Sequence, residues 1–392
     1  MLTILIFIAV LFILVLAHEC GHFFAAKRAG VAVEEFGFSF PPRLFGVWRD
    51  PHSKKFHVVW GSRGAERATS TLYSFNLIPL GGFVKIKGED GEGVQDPNSF
   101  AHKSAATRAW ILCAGVLMNL IVAAVLLSIG FGIGMPTVLD EQEPGGFARI
   151  ENRKLEIVHV FEKSAAATAG LKSGDQIIAL DDMADVHFNS ARDYFRAREN
   201  QNIKIEVMRN GQRIETTVTP AYFEEAQRSA IGVALAETAL VKYPWYVAPL
   251  KGIQATGLFI IEIFRAFGGM IVNLVRGAGV EGTVAGPIGI AIITGEAARL
   301  GASYLLQFIA VLSLNLAVLN ILPIPALDGG RLLFVVIEKI RRGKKTRREI
   351  ERIAHSVGFF ALIALVVVVT VNDLGNYSEF FKQIVEKLKS MI

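Results

Sequence analysis

Four long apolar blocks restrict the fold of this chain more than any other feature of its sequence. They lie at residues 2–26, 109–134, 304–322 and 353–371 of 392. Each is close to the roughly 20 residues that an α-helix needs to cross the hydrocarbon of a bilayer. A hydrophobic content of 52%, gathered in these blocks, excludes a simple soluble enzyme and a disordered chain. We predict a polytopic α-helical membrane protein with four transmembrane helices.

The distribution of lysine and arginine predicts how these helices are oriented. Residues 27–108 hold twelve of them and residues 331–352 hold nine, whereas none precedes the first helix and three follow the fourth. Because basic residues accumulate in cytoplasmic loops, we expect both rich segments inside the cell and both termini outside. The first block also lacks the basic start and small-residue cleavage site of a signal peptide, so we expect it to be retained.

The remaining bulk properties exclude other classes of protein. The net charge of +5 is too small and too dispersed to predict a nucleic-acid partner. The two cysteines, Cys20 and Cys113, are too few for a disulfide framework or a cysteine zinc ribbon.

Between about Glu151 and Pro220 the sequence changes to alternating polar and apolar residues. A hairpin is predicted at Asn210-Gly211, a short helix after Ser164, and a second helix at Asn189–Asn200. The predicted strands are Glu156–Phe161, Gln176–Leu180, Ile203–Arg209 and Arg213–Thr219. We therefore expect one small α+β domain outside the membrane.

The segment that follows this domain is semi-apolar. Gly257–Val275 carries Glu262 and Arg265 in an otherwise apolar run. We expect it to form an interfacial or re-entrant helix, with a full crossing as the alternative.

A metal-binding motif, His18-Glu19-Cys20-Gly21-His22, stands at the end of the first apolar block. Residues four apart share one face of a helix, so both imidazoles can reach one ion. Glu19 lies beside them, placed to take a proton from a zinc-bound water. The alternative is two histidines that only pack, but ionisable groups in a membrane helix are costly and usually mark function. The motif therefore predicts a zinc centre.

A catalytic zinc takes three protein ligands and keeps one open position, so a third ligand must come from elsewhere. Asp328 is the best candidate, because it follows the third apolar block just after Pro323 and Pro325, which must break the helix. His18 lies about 26 Å along the first helix and Pro323 about 28 Å along the third, so their depths agree. The alternative is an aspartate that only forms the turn.

Two further residues near these motifs are ambiguous. Cys20 lies about 200° round the helix from His18, so we expect a packed thiol that points away from the metal. Asn320 lies in an apolar helix, where its amide either bonds a neighbouring helix or contacts a substrate backbone.

With these motifs the chain resembles the site-2 protease family of intramembrane zinc metalloproteases, most closely its bacterial RseP-type (regulator of sigma-E protease) branch. The resemblance covers nearly the whole chain. The small domain, with Gly170-Leu171 and Gly174-Asp175, looks like a bacterial PDZ domain. The other supporting motifs are His18–His22, Leu77-Ile-Pro-Leu-Gly-Gly-Phe-Val-Lys85, Gly286-Pro287-Ile-Gly-Ile-Ala, and Asn320 through Gly329.

The resemblance implies roles for particular residues. It makes His18, His22 and Asp328 the ligands of Zn²⁺, and Glu19 the general base of an endopeptidase. It implies that Thr71–Ile86 forms a membrane-associated β-hairpin that pairs with an unwound substrate segment. The residues implied to contact substrate are Asn320, Pro323, Gly81 and Gly82.

The resemblance also implies partners and a location. Substrates would be single-pass membrane proteins of the bacterial inner membrane, such as anti-sigma factors and remnant signal peptides. The PDZ-like domain would bind a peptide or an exposed C-terminus, and lipid would surround the helices.

The chain departs from the family in two places. We predict one PDZ-like domain, whereas the best-known enterobacterial members carry two in tandem. Where relatives tend to have Gly-Phe-Gly, this chain has Phe38-Ser39-Phe40-Pro41-Pro42, followed by an insertion around Trp48–Ala68.

Two other functions compete with intramembrane proteolysis. One is a catalytically silent PDZ-type membrane scaffold, against which the intact Glu19 argues. The other is a zinc-dependent enzyme or transporter with another substrate, ranked last because no further His-rich or intramembrane acidic relay occurs.

The sequence thus divides into nine predicted segments. They are transmembrane helix 1 (1–26), a cytoplasmic or membrane-dipping β loop (27–108), transmembrane helix 2 (109–134), the PDZ-like domain (135–235), an interfacial or re-entrant region (236–303), transmembrane helix 3 (304–330), a basic cytoplasmic loop (331–352), transmembrane helix 4 (353–372) and a tail (373–392).

Overall fold

The computed structural model describes residues 2–91, 93–139, 145–161, 164–184, 186–209, 211–223, 228–277 and 285–376. Its helices are α1 (Leu2–Arg28), α2 (Ala105–Ile133), α3 (Ala165–Thr168), α4 (Phe188–Ala197), α5 (Ala248–Val275), α6 (Pro287–Leu300), α7 (Ala302–Ile321), α8 (Asp328–Ile340) and α9 (Arg348–Asn376). Its strands are β1 (Val33–Arg49), β2 (Phe56–Trp60), β3 (Leu72–Ile86), β4 (Met135–Leu139), β5 (Arg149–Val160), β6 (Gln176–Leu180), β7 (Met183–Ala184), β8 (Ile203–Arg209), β9 (Gln212–Val218), β10 (Ala221–Phe223), β11 (Arg228–Ala230) and β12 (Val233–Lys242).

These elements belong to two compact units. The first unit contains residues 1–127 and 252–392, and the second contains residues 128–251. The second unit is longer than the domain predicted at 135–235, because β12 continues to Lys242 and pairs with both β4 and β5.

Five helices in the described part of the chain are long and apolar enough to cross a membrane. Four of them, α1, α2, α7 and α9, coincide with the predicted transmembrane helices. The fifth is Ala248–Asn273 within α5, which the sequence placed at the interface. Length and composition alone therefore admit a fifth span that the sequence analysis did not count.

The predicted third transmembrane helix is two helices in the structure. α7 ends at Ile321, and α8 begins only at Asp328. Pro323 and Pro325 lie between these two helices, as expected of residues that cannot continue a helix. A shorter helix, α6, precedes α7 in the segment predicted to be interfacial.

The N-terminus of α6 is held by α9. Asp373 is 1% exposed, and its two carboxylate oxygens accept the backbone N–H groups of Gly286 at 3.0 Å and Gly289 at 2.8 Å. The first N–H groups of a helix have no partner within the helix, so a buried carboxylate at that position stabilises it. The Gly286-Pro287 motif is thus the start of a capped helix.

The β elements of the first unit form one sheet in the order β2-β1-β3. Phe36 of β1 is paired with both Tyr73 and Val84, so the first half of β1 lies between the two halves of β3. The half of β3 that contains Val84 packs against α1. This arrangement places a strand beside the helix that carries His18.

The second unit is built on a larger sheet in the order β4-β12-β5-β6-β8-β9, with β7 paired to β6. The four predicted strands lie close to β5, β6, β8 and β9, and the two predicted helices lie close to α3 and α4. The side chain of Ser164 caps the start of α3. The predicted turn residue Asn210 lies outside the described residues, although Arg209 and Gln212 are paired on either side of it. The largest fully buried side chains of this core are Leu155, Ile157, Leu180, Ile203, Ile205 and Ile231.

A buried ion pair stabilises this core. Asp175 is fully buried and accepts two hydrogen bonds of 2.6 Å from Arg209 and one of 2.9 Å from the Lys172 backbone N–H. Burial acts to raise the pKa of Asp175, but these hydrogen bonds outweigh it and hold the pKa below its usual range. Ionised Asp175 therefore stabilises the second unit.

We predict that Asp175→Asn destabilises the second unit at pH 7 by about 1.5–3 kcal/mol, the usual contribution of a hydrogen bond to a charged group. Because the pKa of Asp175 is lowered on folding, its contribution is present above the unfolded value of about 3.9 and is lost as the pH falls through the folded value. Hydrogen exchange of the β5 and β6 amides should show the loss at pH 7 and a smaller difference in acid. Asp193→Asn, at an exposed site, is the matched control; equal protection in both variants would contradict the prediction.

Candidate metal centre

The two histidines of the motif lie on one face of α1. His18 and His22 are 7% and 5% exposed, in a helix whose other residues from Leu2 to Ala17 are apolar apart from Thr3. Their separation of four residues brings the Nε2 atoms to 3.1 Å from each other. The helical spacing predicted from the sequence is therefore present.

The turn between α7 and α8 delivers Asp328 to these histidines. Ala326 has a positive φ of 78°, a conformation that costs free energy in a non-glycine residue. Its N–H donates to Nδ1 of His355, on α9, at 2.9 Å, which holds the turn in place. A Cβ on Gly329 or Gly330 would lie within 2.4 Å of a backbone oxygen of the same turn. Both glycines are therefore needed for so tight a turn.

Three ligand atoms meet at this place. Asp328 Oδ2 lies 2.9 Å from His18 Nε2 and 3.1 Å from His22 Nε2. All three atoms lie within 4.8 Å of one another, and His18, His22 and Asp328 are the one such group found among the described residues. Two imidazole nitrogens and a carboxylate oxygen form a donor set that suits zinc and leaves a fourth position open.

His22 is held by a hydrogen bond from its other ring nitrogen. Nδ1 lies 2.9 Å from the carbonyl oxygen of Ile111 on α2. A carbonyl can only accept, so Nδ1 carries the proton and Nε2 keeps its lone pair toward the cluster. Ile111 was not predicted from the sequence, because a backbone partner leaves no residue-type signal.

Glycine allows α2 to approach both imidazoles. A Cβ on Gly115 would lie 2.4 Å from His22 Nε2 and 2.8 Å from His18 Nε2. On the facing helix, a Cβ on Gly21 would lie 2.3 Å from the carbonyl oxygen of Ala114. Distances under 3 Å exclude any side chain, so Gly115 forms one wall of the centre.

One turn further along α2, Asn119 reaches His18. Its side chain is fully buried and lies 3.4 Å from His18 Nδ1. Neither Gly115 nor Asn119 was predicted, yet the sequence holds a signal: a glycine and an amide four residues apart in an apolar block lie on one helix face.

Glu19 lies on the side of α1 that faces the sheet. Its Oε2 accepts the backbone N–H of Val84, on β3, at 3.0 Å. Glu19 is outside the three-atom cluster, as expected of a residue that does not bind the metal. A strand backbone therefore lies within hydrogen-bond distance of the candidate base.

The residues implied to contact substrate are spread around this centre. Gly81 lies against Val15 of α1, where a Cβ would come within 2.6 Å, and Gly82 is buried beside it. Pro323 is exposed in the turn before Asp328. Asn320 is half-buried near the end of α7, and its amide makes no hydrogen bond to the described residues.

Two ion pairs connect α8 to its surroundings. Arg331, one turn after Asp328, donates to Glu89 in the loop after β3. Arg108 of α2 donates to Glu338 at 2.7 Å. Burial raises the pKa of Glu89, and Arg331 opposes that rise. Together these pairs fix the helix that begins with Asp328.

Comparison with known proteins gives the family of the chain. Residues 6–65 and 52–365 match the sequence profile of Peptidase family M50. The chain belongs to this family. A Clostridium acetobutylicum protein whose name proposes a zinc metalloprotease is 32% identical over 371 residues, covering 92% of this chain and 94% of the relative. The Zinc metalloprotease RasP of Geobacillus kaustophilus is 28% identical, covering 96% and 98%.

Membership of family M50, the site-2 protease family, confirms the predicted resemblance. Peptidases of this family are zinc-dependent proteases, so the predicted enzyme class and zinc cofactor are confirmed as well. A solved PDZ domain of an SdrC-like protein from Listeria monocytogenes aligns with 21% of this chain at 20% identity and a TM-score of 0.20, too weak a likeness to decide the fold of the second unit.

We predict that Gly115→Ala abolishes high-affinity zinc binding, because its methyl group would occupy the space of both imidazoles. Gly132→Ala on the same helix is the matched control, since a Cβ there meets no atom within 4 Å. Metal analysis of the two purified variants measures the effect. Equal zinc content in both variants would contradict the conclusion that Gly115 forms a wall of the centre.

Proposed function

We propose that this chain is a zinc-dependent intramembrane endopeptidase that hydrolyses peptide bonds in or near the transmembrane segments of single-pass membrane proteins. The observation that carries the proposal is the meeting of His18, His22 and Asp328, with Glu19 adjacent, on helices long and apolar enough to span a bilayer. Anti-sigma factors and remnant signal peptides are the substrate classes that the family resemblance suggests.

In this proposal the metal is held by His18 and His22 through Nε2 and by Asp328 through its carboxylate. Zinc bound there would act as a Lewis acid, which lowers the pKa of a water molecule and polarises the scissile carbonyl. Glu19 accepts the proton of the attacking water and returns it to the amine that leaves. The N–H of Val84 orients the Glu19 carboxylate by its hydrogen bond at 3.0 Å.

The sheet of the first unit is proposed to receive the substrate as an added strand. A helical substrate shields its peptide bonds, so it must unwind before water can attack. Val84 belongs to the half of β3 next to α1, which gives an unwound segment a backbone to pair with beside Glu19. Asn320, whose amide has no described partner, is proposed to bond the same segment.

The outer faces of this sheet support its placement in the membrane. Large apolar side chains on β1, β2 and β3 are exposed, and clusters of such side chains mark surfaces that bind proteins or membranes. They include Phe40, Leu44, Phe56, Trp60, Phe75 and Ile78. Lipid or an apolar substrate would cover this surface, in accord with a membrane-associated β loop.

Contacts of α6 favour four crossings and not five. Gly295 lies against Thr3 at the start of α1, and Gly286 bonds Asp373 near the end of α9. If both termini are outside, Gly286 is outside too. Since α5 begins after the outer domain, it must return to the side where it started. The ten residues 276–285 are too short for a second crossing helix, about 15 Å at 1.5 Å per residue.

The second unit is proposed to be an extracytoplasmic PDZ-like domain that restrains access to the centre. It contains no group of three metal-binding side chains among its described residues. His187 in this unit forms a hydrogen bond with Glu237 at 3.2 Å and is the N-cap residue of α4. Such a domain selects by steric exclusion of bulky outer regions, or by binding an exposed C-terminus.

We predict that Glu19→Gln retains zinc and fold but lowers the rate of peptide cleavage by roughly 10²–10⁴-fold, the usual contribution of a general base. Purified protein would be incubated with a panel of single-span membrane peptides, with and without chelator, and the products identified by mass spectrometry. Cleavage near the wild-type rate would refute the proton-transfer role. No chelator-sensitive cleavage by the wild type would refute the proposed function.

His22→Ala and Asp328→Asn should each lose most bound zinc, because each removes one of three ligands. Glu19→Gln, which removes none, provides the comparison in the same metal assay. Full zinc occupancy in both ligand variants would show that the ion binds elsewhere.

The proposed topology predicts the labelling of single cysteines in a background without Cys20 and Cys113. A cysteine at Arg276, exposed just after α5, should react with an impermeant reagent from outside intact cells. A cysteine at Lys344, in the basic loop, should react only after lysis. Protection at position 276 with labelling after lysis would show that α5 crosses the membrane.

A further inference from the structure

Among the described residues of the centre, Asn119 is the one buried side chain whose hydrogen bonding is incomplete. It is 0% exposed, and its Nδ2 lies 3.4 Å from His18 Nδ1. Its Oδ1 is buried without a hydrogen-bond partner among the described residues. An amide buried in an apolar helix with a single hydrogen bond is unfavourable for stability, so its place beside His18 points to a role there.

The packing of α2 against α7 does not explain this amide. Ser313 of α7 donates its hydroxyl to the backbone carbonyl of Asn119 at 2.9 Å. That bond would form with any residue at position 119, because it uses only the backbone. Within the described part of the chain, the side chain itself is bonded to His18 alone.

His18 can bind a metal through Nε2 only if its proton is on Nδ1. A neutral imidazole has one N–H and one lone pair, so the proton on Nδ1 requires an acceptor there. The Ile111 carbonyl meets this need for His22, at 2.9 Å. For His18 the group in that position is the Asn119 amide, whose oxygen and nitrogen exchange places when the amide turns by 180°.

We propose that Asn119 is a positioning residue whose Oδ1 accepts the Nδ1–H of His18 and so keeps its Nε2 lone pair available to the metal. The inference rests on one part of the proposed function, the binding of zinc at this centre. The opposite orientation of the amide donates Nδ2–H to Nδ1 and leaves the proton on Nε2, which faces Asp328 Oδ2 at 2.9 Å. The orientation of this amide and the binding of the metal are therefore linked. His22 has no such choice, because a backbone carbonyl cannot donate.

The proposal predicts that substitution of Asn119 changes zinc affinity and thermal stability in different ways. Asn119→Leu removes the acceptor and should lower zinc affinity by about 10–100-fold, the usual effect of losing the partner of a ligating histidine. The same change replaces a poorly bonded buried amide by an apolar group of similar size, so the thermal midpoint of the metal-free protein should stay or rise. Asn119→Asp keeps an acceptor and should keep zinc affinity near that of the wild type.

The experiment is a chelator competition for zinc on the purified full-length protein, with thermal unfolding of the metal-free form measured beside it. Ser313→Ala is the matched control, since it removes the contact between α2 and α7 at the same residue without touching His18. It should leave zinc affinity unchanged.

Each outcome decides the proposal. Wild-type zinc affinity in Asn119→Leu overturns it, and so do equal losses in the Leu and Asp variants. If Asn119→Asp fails to fold, the contrast between Asn119→Leu and Ser313→Ala decides: equal losses overturn the proposal, and a loss confined to Asn119→Leu supports it. A wild-type protein that binds zinc but cleaves no peptide refutes the proposed function while leaving this inference standing, whereas one that binds no zinc refutes both.

Discussion

The structure depends on one constraint: a polar side chain among apolar helices must find its partners inside the protein. His18 and His22 meet this constraint through Asp328 on one side, and through Asn119 and the Ile111 carbonyl on the other. The elements that supply these partners are far apart in the sequence. The helices must therefore pack in one arrangement before the histidines can be buried with all these partners in place.

That arrangement is possible only because glycine, which has no side chain, stands where the backbones approach each other. α1 and α2 touch through Gly21 and Gly115, and no larger residue fits at either position. The turn before α8 needs Gly329 and Gly330 for the same reason. Close approach of backbones thus allows the three ligand atoms to meet. The ion pair of Arg108 with Glu338 then holds α8 against α2 from the opposite end.

The sequence predicted those features that local patterns encode. Helical spacing identified His18 and His22, the apolar blocks identified four helices, and the alternating runs identified four of the nine described strands of the second unit. The proline-rich run located Asp328, because prolines end a helix wherever they occur. Features that depend on which helices touch were missed, such as the contacts of α2 with the histidines. The register of β1 with β3 and the cap of α6 by Asp373 were also missed, because both join residues distant in the chain.

The hydrogen bond between Ala326 and His355 has a consequence for biosynthesis. His18 is made 310 residues before Asp328, which corresponds to about 15–60 s of translation at 5–20 residues per second. The turn that presents Asp328 is completed later still, when α9 brings His355 to it. For that whole interval the growing chain carries the two histidines without their third partner. Until His355 has been made and packed, the nascent chain therefore lacks the contact that holds Asp328 in place at the centre.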